Sequence, residues 1–119
     1  MENAKVNDYK GKEIFFIDIS NCNAMEILKR MKAVEQEIVK YPENSLYVLT
    51  NSTKIQYNSI TSSTLKEFSD NYTKYIKCSA MVDEDGIHEQ ELNAVSKIEK
   101  QSMKPFTNIN DALEWLITQ

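Results

Sequence analysis

Two groups of residues in this chain have the types and spacing to do chemistry. Asp18, Ser20, Asn51, Ser52, Asp83 and Asp85 each fall where an apolar run gives way to polar sequence. If those runs are neighbouring parallel strands, their carboxyl ends share one border, the usual ligand position of open α/β sheets. Two or three carboxylates and several hydroxyls gathered there would hold Mg²⁺ through oxygen ligands. The second group is Asn58-Ser59-Ile60-Thr61-Ser62-Ser63, a run of N-cap residue types where a helix is expected to begin. A phosphate on a hydroxyl there would meet helix N–H groups and the positive end of the helix dipole. The plainer reading makes Ser59 and Thr61 ordinary caps.

Other chemistry has little to build on. His88 is the only histidine, beside Glu89 at the start of an expected helix, and no nucleophile–base–orienter set can be assembled around it. Glycine occurs only as Gly11 and Gly86, so there is no phosphate-cradling loop. Cys22 and Cys78 complete no metal spacing and read as small buried thiols. No cofactor motif is present and no enzymatic activity is expected. With a net charge of −4 and Arg30 as the only arginine, the chain is a poor ligand for nucleic acid. No apolar run approaches the roughly 20 residues of a membrane span, and Met1-Glu2-Asn3-Ala4 does not open like a signal peptide. A cytoplasmic protein is the expectation.

The elements that must position these residues are legible in order. Ala4–Tyr9 reads as an edge strand, Lys10-Gly11-Lys12 as a hairpin tip, and Glu13 to Asp18 as a buried strand. Asn23-Ala24-Met25-Glu26 has the form of a capping box. Behind it Ile27, Leu28, Met31, Val34 and Ile38 form the stripe of an amphipathic helix, which Tyr41-Pro42 ends. Leu46 to Leu49, four apolar residues without alternation, require cover on both faces. A second helix is expected from Ser59 to Ile76 with Leu65, Phe68, Tyr72 and Tyr75 inside. Cys78 to Val82 is a third buried strand, followed by Asp83-Glu84-Asp85-Gly86. A helix from Ile87 to Gln101 comes next, then a proline-bearing edge strand at Lys104 to Thr107. The last helix is expected to start at an Asn110-Asp111 cap, with Ala112, Leu113, Leu116 and Ile117 facing inward. Buried strands joined by helices need right-handed parallel crossovers. The expectation is one α/β domain over residues 1–119: a single-layer, mixed, mostly parallel sheet of about five strands with four helices.

That element order resembles the STAS-like domains, the SpoIIAA-like fold group of anti-sigma-factor antagonists. The likeness rests on Tyr9-Lys10-Gly11-Lys12-Glu13-Ile14 through Ile17-Asp18-Ile19-Ser20, and on Ser79-Ala80-Met81-Val82 to Gly86, Phe106 and Asp111-Ala112-Leu113-Glu114-Trp115-Leu116. These stretches look like a small, largely uncharacterised bacterial branch grouped with STAS domains and with CRAL-TRIO-type lipid carriers. The resemblance implies a serine, in an Asp-Ser pair at a helix N-terminus, that a partner kinase phosphorylates. Laid on Tyr47 to Ser63, that pair falls on Asn58-Ser59. Here Asn58 replaces the aspartate, Thr50 replaces the acid at the strand end, and no glycine follows Ser59. Three readings stand side by side. One is a non-catalytic module that binds another protein, a second copy included, and is switched near Ser59. The second is a carrier with an apolar pocket among Tyr57, Tyr72, Tyr75, Met25, Met31 and Met103. The third is an enzyme working on the acidic border.

Overall fold

The computed structural model describes residues 4–85 and 103–119. The chain opens with a hairpin of β1 (Ala4–Tyr9) and β2 (Lys12–Asp18). Tyr9 pairs directly with Lys12, and Lys10 and Gly11 between them both have positive φ, 50° and 88°. That two-residue turn has the twist that flanking strands require, and glycine meets its demand at no steric cost. Helix α1 (Ala24–Ile38) starts from the expected capping box: Glu26 N–H donates to Asn23 Oδ1 at 2.8 Å, and Asn23 N–H to Glu26 Oε1 at 3.0 Å. Strand β3 (Leu46–Asn51) leads into α2 (Ser59–Tyr72).

Here the structure departs from the periodicity. Helix α2 stops at Tyr72 instead of reaching Ile76; Thr73–Tyr75 is a 3-10 turn, and β4 (Ile76–Val82) begins at once. The rings of Phe68, Tyr72 and Tyr75 stack in sequence, with centroids 5.4 and 6.4 Å apart. A spacing of three is shared by α and 3-10 geometry, so it cannot report where the winding tightens. Lys77 is an extra residue: Leu46 pairs with Ile76 but Tyr47 with Cys78. This bulge turns Ile76 and Cys78 to opposite faces.

Strand β5 (Met103–Phe106) and α3 (Ile109–Ile117) complete the described chain. The cap of α3 is Asn108, whose Oδ1 accepts from Asp111 N–H at 3.1 Å, so the helix starts before the expected Asn110-Asp111 cap. Asp111 falls instead in the first turn, where its charge favours the dipole. Among the described residues there are three α-helices; the one expected from Ile87 to Gln101, with Gly86 and His88, lies outside them.

All five strands form one sheet in the order β1-β2-β3-β4-β5, with β1 antiparallel and the others parallel. One face buries Phe15, Ile17, Val48 and Ile76 under Ile27, Met31, Val34 and Ile38 of α1 and Leu65 and Phe68 of α2. The opposite face buries Ile14, Leu49, Ala80 and Val82 under Ala112, Leu113 and Leu116 of α3. Each large side chain withdrawn in this way stabilises the fold by about 1.5–3 kcal/mol. The three apolar runs do lie side by side and parallel, which brings the strand ends to one border.

Candidate functional site

At that border Asp18 is the register partner of Asn51, and Asn51 of Val82, the residue before Asp83. The polar side chains are spent on bracing the loops. Asp18 Oδ1 accepts from Ser20 N–H at 3.0 Å and Ser20 Oγ–H at 2.6 Å. Asn51 Oδ1 does the same for Thr53, at 3.2 and 2.7 Å. A left-handed residue follows each motif, Asn21 and Lys54, both at φ 59°. The two loops are then joined backbone to backbone: Ile19 N–H to Asn51 O, Asn21 N–H to Thr53 O, and Gln56 N–H to Cys22 O, at 3.0, 2.9 and 2.9 Å.

The remaining border residues share this work. Ser52 is fully buried, its N–H and Oγ–H both donating to Val82 O at 2.8 and 2.9 Å. Thr53 Oγ1 accepts from Glu84 N–H at 3.0 Å. Asp83 is buried, with its N–H on Phe106 O at 2.9 Å, whereas Asp18 and Asp85 are exposed. Arg30 donates to Asp18 O at 3.0 Å, which commits the lone guanidinium to the end of β2. Among the described residues no three acidic, histidine or cysteine side chains come together as a metal site.

The start of α2 is organised by Asn58. Its Oδ1 accepts from the N–H groups of Ile60 and Thr61 at 3.0 and 3.1 Å, so Asn58 is the cap and Ser59 the first helical residue. Thr61 is fully buried and donates to Gln56 O at 2.6 Å, so it is neither the cap nor a hydroxyl open to a partner or to phosphorylation. Thr64 bonds Ile60 O at 2.8 Å. Ser59 is exposed. Removing the cap with Asn58→Ala is expected to cost about 1 kcal/mol, read from the urea midpoint.

Beside Ser59 an open groove of ≈ 280 Å³ runs between α1 and α2, lined by Leu28, Ser59, Ile60, Ser63, Thr64 and Glu67. Ile60 is 44 % exposed, and Met25, one turn before Leu28 on the same side of α1, is 53 % exposed. Only Val39, at the far end of α1, joins them as a strongly exposed large apolar residue among those described. Sequence reasoning placed Leu28 in the core stripe and Met25 in a pocket; Leu28 is half-buried at the groove. The signal was present in α2. Its buried stripe is Thr61, Thr64, Leu65 and Phe68, which leaves Ile60 about 100° round the helix from Thr61.

Among the described residues the space under α2 gives a carried ligand little room. The cavity between α2 and the sheet measures ≈ 30 Å³, and of the proposed lining set Met31 borders it. Tyr72 and Tyr75 are stacked on each other, Tyr57 is packed against the core, and Met25 faces solvent; the Met103 side chain lies outside the described set.

Both cysteines are free and buried. Burial pushes the Cys22 thiol up and raises Cys78 from 9.0 to about 11. The folded state therefore favours the neutral thiol of Cys78. That contribution is complete below pH 9 and is lost as pH rises through about 11. Wild type is expected to lose stability more steeply than Cys78→Ala over this window, measured by denaturant titration at each pH.

These features define a class: a five-stranded mixed sheet with α1 and α2 on one face and α3 on the other, which is the SpoIIAA-like (STAS) fold. A solved structure of an uncharacterised DUF3478-family protein from Shewanella loihica PV-4, with a SpoIIAA-like fold, matches at TM-score 0.75 and 12 % identity. The match covers 95 % of this chain and 91 % of that one, and at such identity it shows the fold. No family model and no curated protein matches the sequence. Among the described residues no helix is long and apolar enough to cross a membrane.

Proposed function

We propose that this protein is a non-catalytic STAS-type interaction module, acting in the cytoplasm, that binds another protein through the α1–α2 groove and is regulated at Ser59. The observation that carries the reading is the apolar pair Met25 and Ile60, left exposed beside a groove with Leu28 in its wall and hydroxyls at its rim. An apolar centre with a polar margin is the usual anatomy of a contact surface. Ser59 lines the same groove. The first turn of α2 holds no acidic residue, so its dipole would stabilise an added phosphate. A dianion facing an apolar partner would oppose docking.

Affinity capture from native extract tests this. Ser59→Asp bait is expected to recover at least about tenfold less partner than wild type, and Ser59→Ala to match wild type. Equal recovery by all three would remove the switch. A captured partner indifferent to changes at Ile60 would remove the groove.

A further inference from the structure

Strand β1 ends the sheet, and its backbone bonds can be followed residue by residue. Tyr9 and Lys12 flank the two-residue turn, so they exchange main-chain hydrogen bonds with each other. Along an antiparallel ladder such pairs alternate. Asn7 with Ile14 and Lys5 with Phe16 therefore bond across to β2. The N–H and C=O groups of Ala4, Val6 and Asp8 point the other way, and no described strand lies beyond them. An open row of this kind is a template for a further strand. The edge at β5 differs: Phe106 O accepts from Asp83 N–H at 2.9 Å, so Phe106 faces β4 and its neighbour Pro105 faces out, with no N–H to give. No proline guards β1. Asp8 is exposed, but its Oδ1 accepts from Gly11 N–H at 3.0 Å and so is turned to the hairpin tip. The buried sheet residues under the helices belong to β2, β3 and β4, so neither helix layer is centred on β1.

We propose that the outer edge of β1 is a dimer interface, on which β1 of a second copy pairs antiparallel about a two-fold axis through Val6. An axis normal to the sheet keeps each face on its own side, and Val6 then opposes Val6. Ala4 opposes Asp8 in both directions, so every outward residue of one row meets an outward residue of the other. Moving the axis to Lys5 or Asn7 leaves Asp8 or Ala4 without a partner in the row. The Val6 register also sets Asn7 against Lys5, so no like charges face each other. Val6 is half-buried and packs against the cluster under α1, which the pairing extends across the axis. The occupant that fits this edge is the same segment of a second chain.

Sedimentation of the full chain, combined with cysteine cross-linking, tests the assignment. Wild type is expected to sediment at twice the monomer mass at micromolar concentration. Val6→Pro removes an N–H that faces away from β2, a change an edge strand tolerates. It should keep the far-UV signal and raise the dimer dissociation constant at least about tenfold, because each copy loses a donor at the axis. Val6→Cys is expected to form an interchain disulfide on mild oxidation, since opposed residues of a bonded pair have Cα atoms about 5.5 Å apart. Asn7→Cys should link far more slowly although Asn7 is the more exposed, because its counterpart lies diagonally, about 7–8 Å away. Cys22 and Cys78 are buried and do not compete. A monomer at every concentration, a dimer indifferent to Val6→Pro, or faster linking by Asn7→Cys than by Val6→Cys would overturn the proposal.

Discussion

Ile60→Asp is expected to leave the protein folded and to lower partner recovery about a hundredfold. Ile60 is 44 % exposed in the second position of α2, so the native state has little packing there to lose. A surface change of this kind stays within about 0.5 kcal/mol of wild type. A carboxylate in the first turn also favours the helix dipole. In a docked complex the same carboxylate would be forced against apolar surface beside Leu28 without a counter-charge. Desolvating it there would cost several kcal/mol, the scale of a lost hot-spot residue. Val39→Asp supplies the comparison, since Val39 is 48 % exposed but lies at the C-cap of α1, away from the groove. Far-UV circular dichroism and urea midpoints establish that both variants fold. Affinity capture should then separate them: recovery close to wild type for Val39→Asp, and near background for Ile60→Asp. Equal loss from both would mean that general surface hydrophobicity, not the groove, attracts the partner.

The sequence and the structure agree most closely where a single force decides the outcome. Ile14 to Ile17, Leu46 to Leu49 and Ala80 to Val82 are apolar without alternation, and burial on two faces leaves them nowhere but the middle of a sheet. The capping box at Asn23 and the turn at Gly11 are equally local, each written in a few adjacent residues. Agreement weakens where two forces compete. Threonines fill two positions of the buried stripe of α2, so an apolar count misses that face and with it the exposure of Ile60. The strand ends share one border, but whether a polar strand end faces a ligand or its own loop depends on side-chain bonds two residues away. Asp18-Ile19-Ser20 and Asn51-Ser52-Thr53 carry that information, because an Asx residue followed at i+2 by a hydroxyl is a turn motif. Their bonds turn Asp18 Oδ1 and Asn51 Oδ1 back onto their own loops.

The other large effect is expected from Leu116→Ala, which should cost about 2–5 kcal/mol, against the 5–15 kcal/mol typical of a whole domain. Leu116 is fully buried, and α3 has nine residues. Isolated helices shorter than about 12 residues are marginal in water. The order of α3 therefore depends on what Ala112, Leu113 and Leu116 bury against Leu49, Ala80 and Val82. Polar ties add to this: Lys12 Nζ–H donates to Ile117 O and Gln119 O at 3.3 and 3.0 Å, and Lys10 pairs with Glu114 at 2.6 Å. The Lys10–Glu114 pair is exposed, and such pairs hold little on their own. Trp115, the only tryptophan, lies 5.7 Å from the Phe106 ring and reports on the docking of α3. Because α1 and α2 pack a separate cluster on the opposite face, the variant should lose α3 before it loses the rest. Trp115 fluorescence is expected to shift to the red at lower urea than the far-UV signal changes, whereas the two coincide in wild type. Coincident transitions in the variant would instead make α3 part of one cooperative unit with the sheet. A loss below about 1 kcal/mol, well under the range for a buried leucine, would show that α3 does not close this face of the sheet.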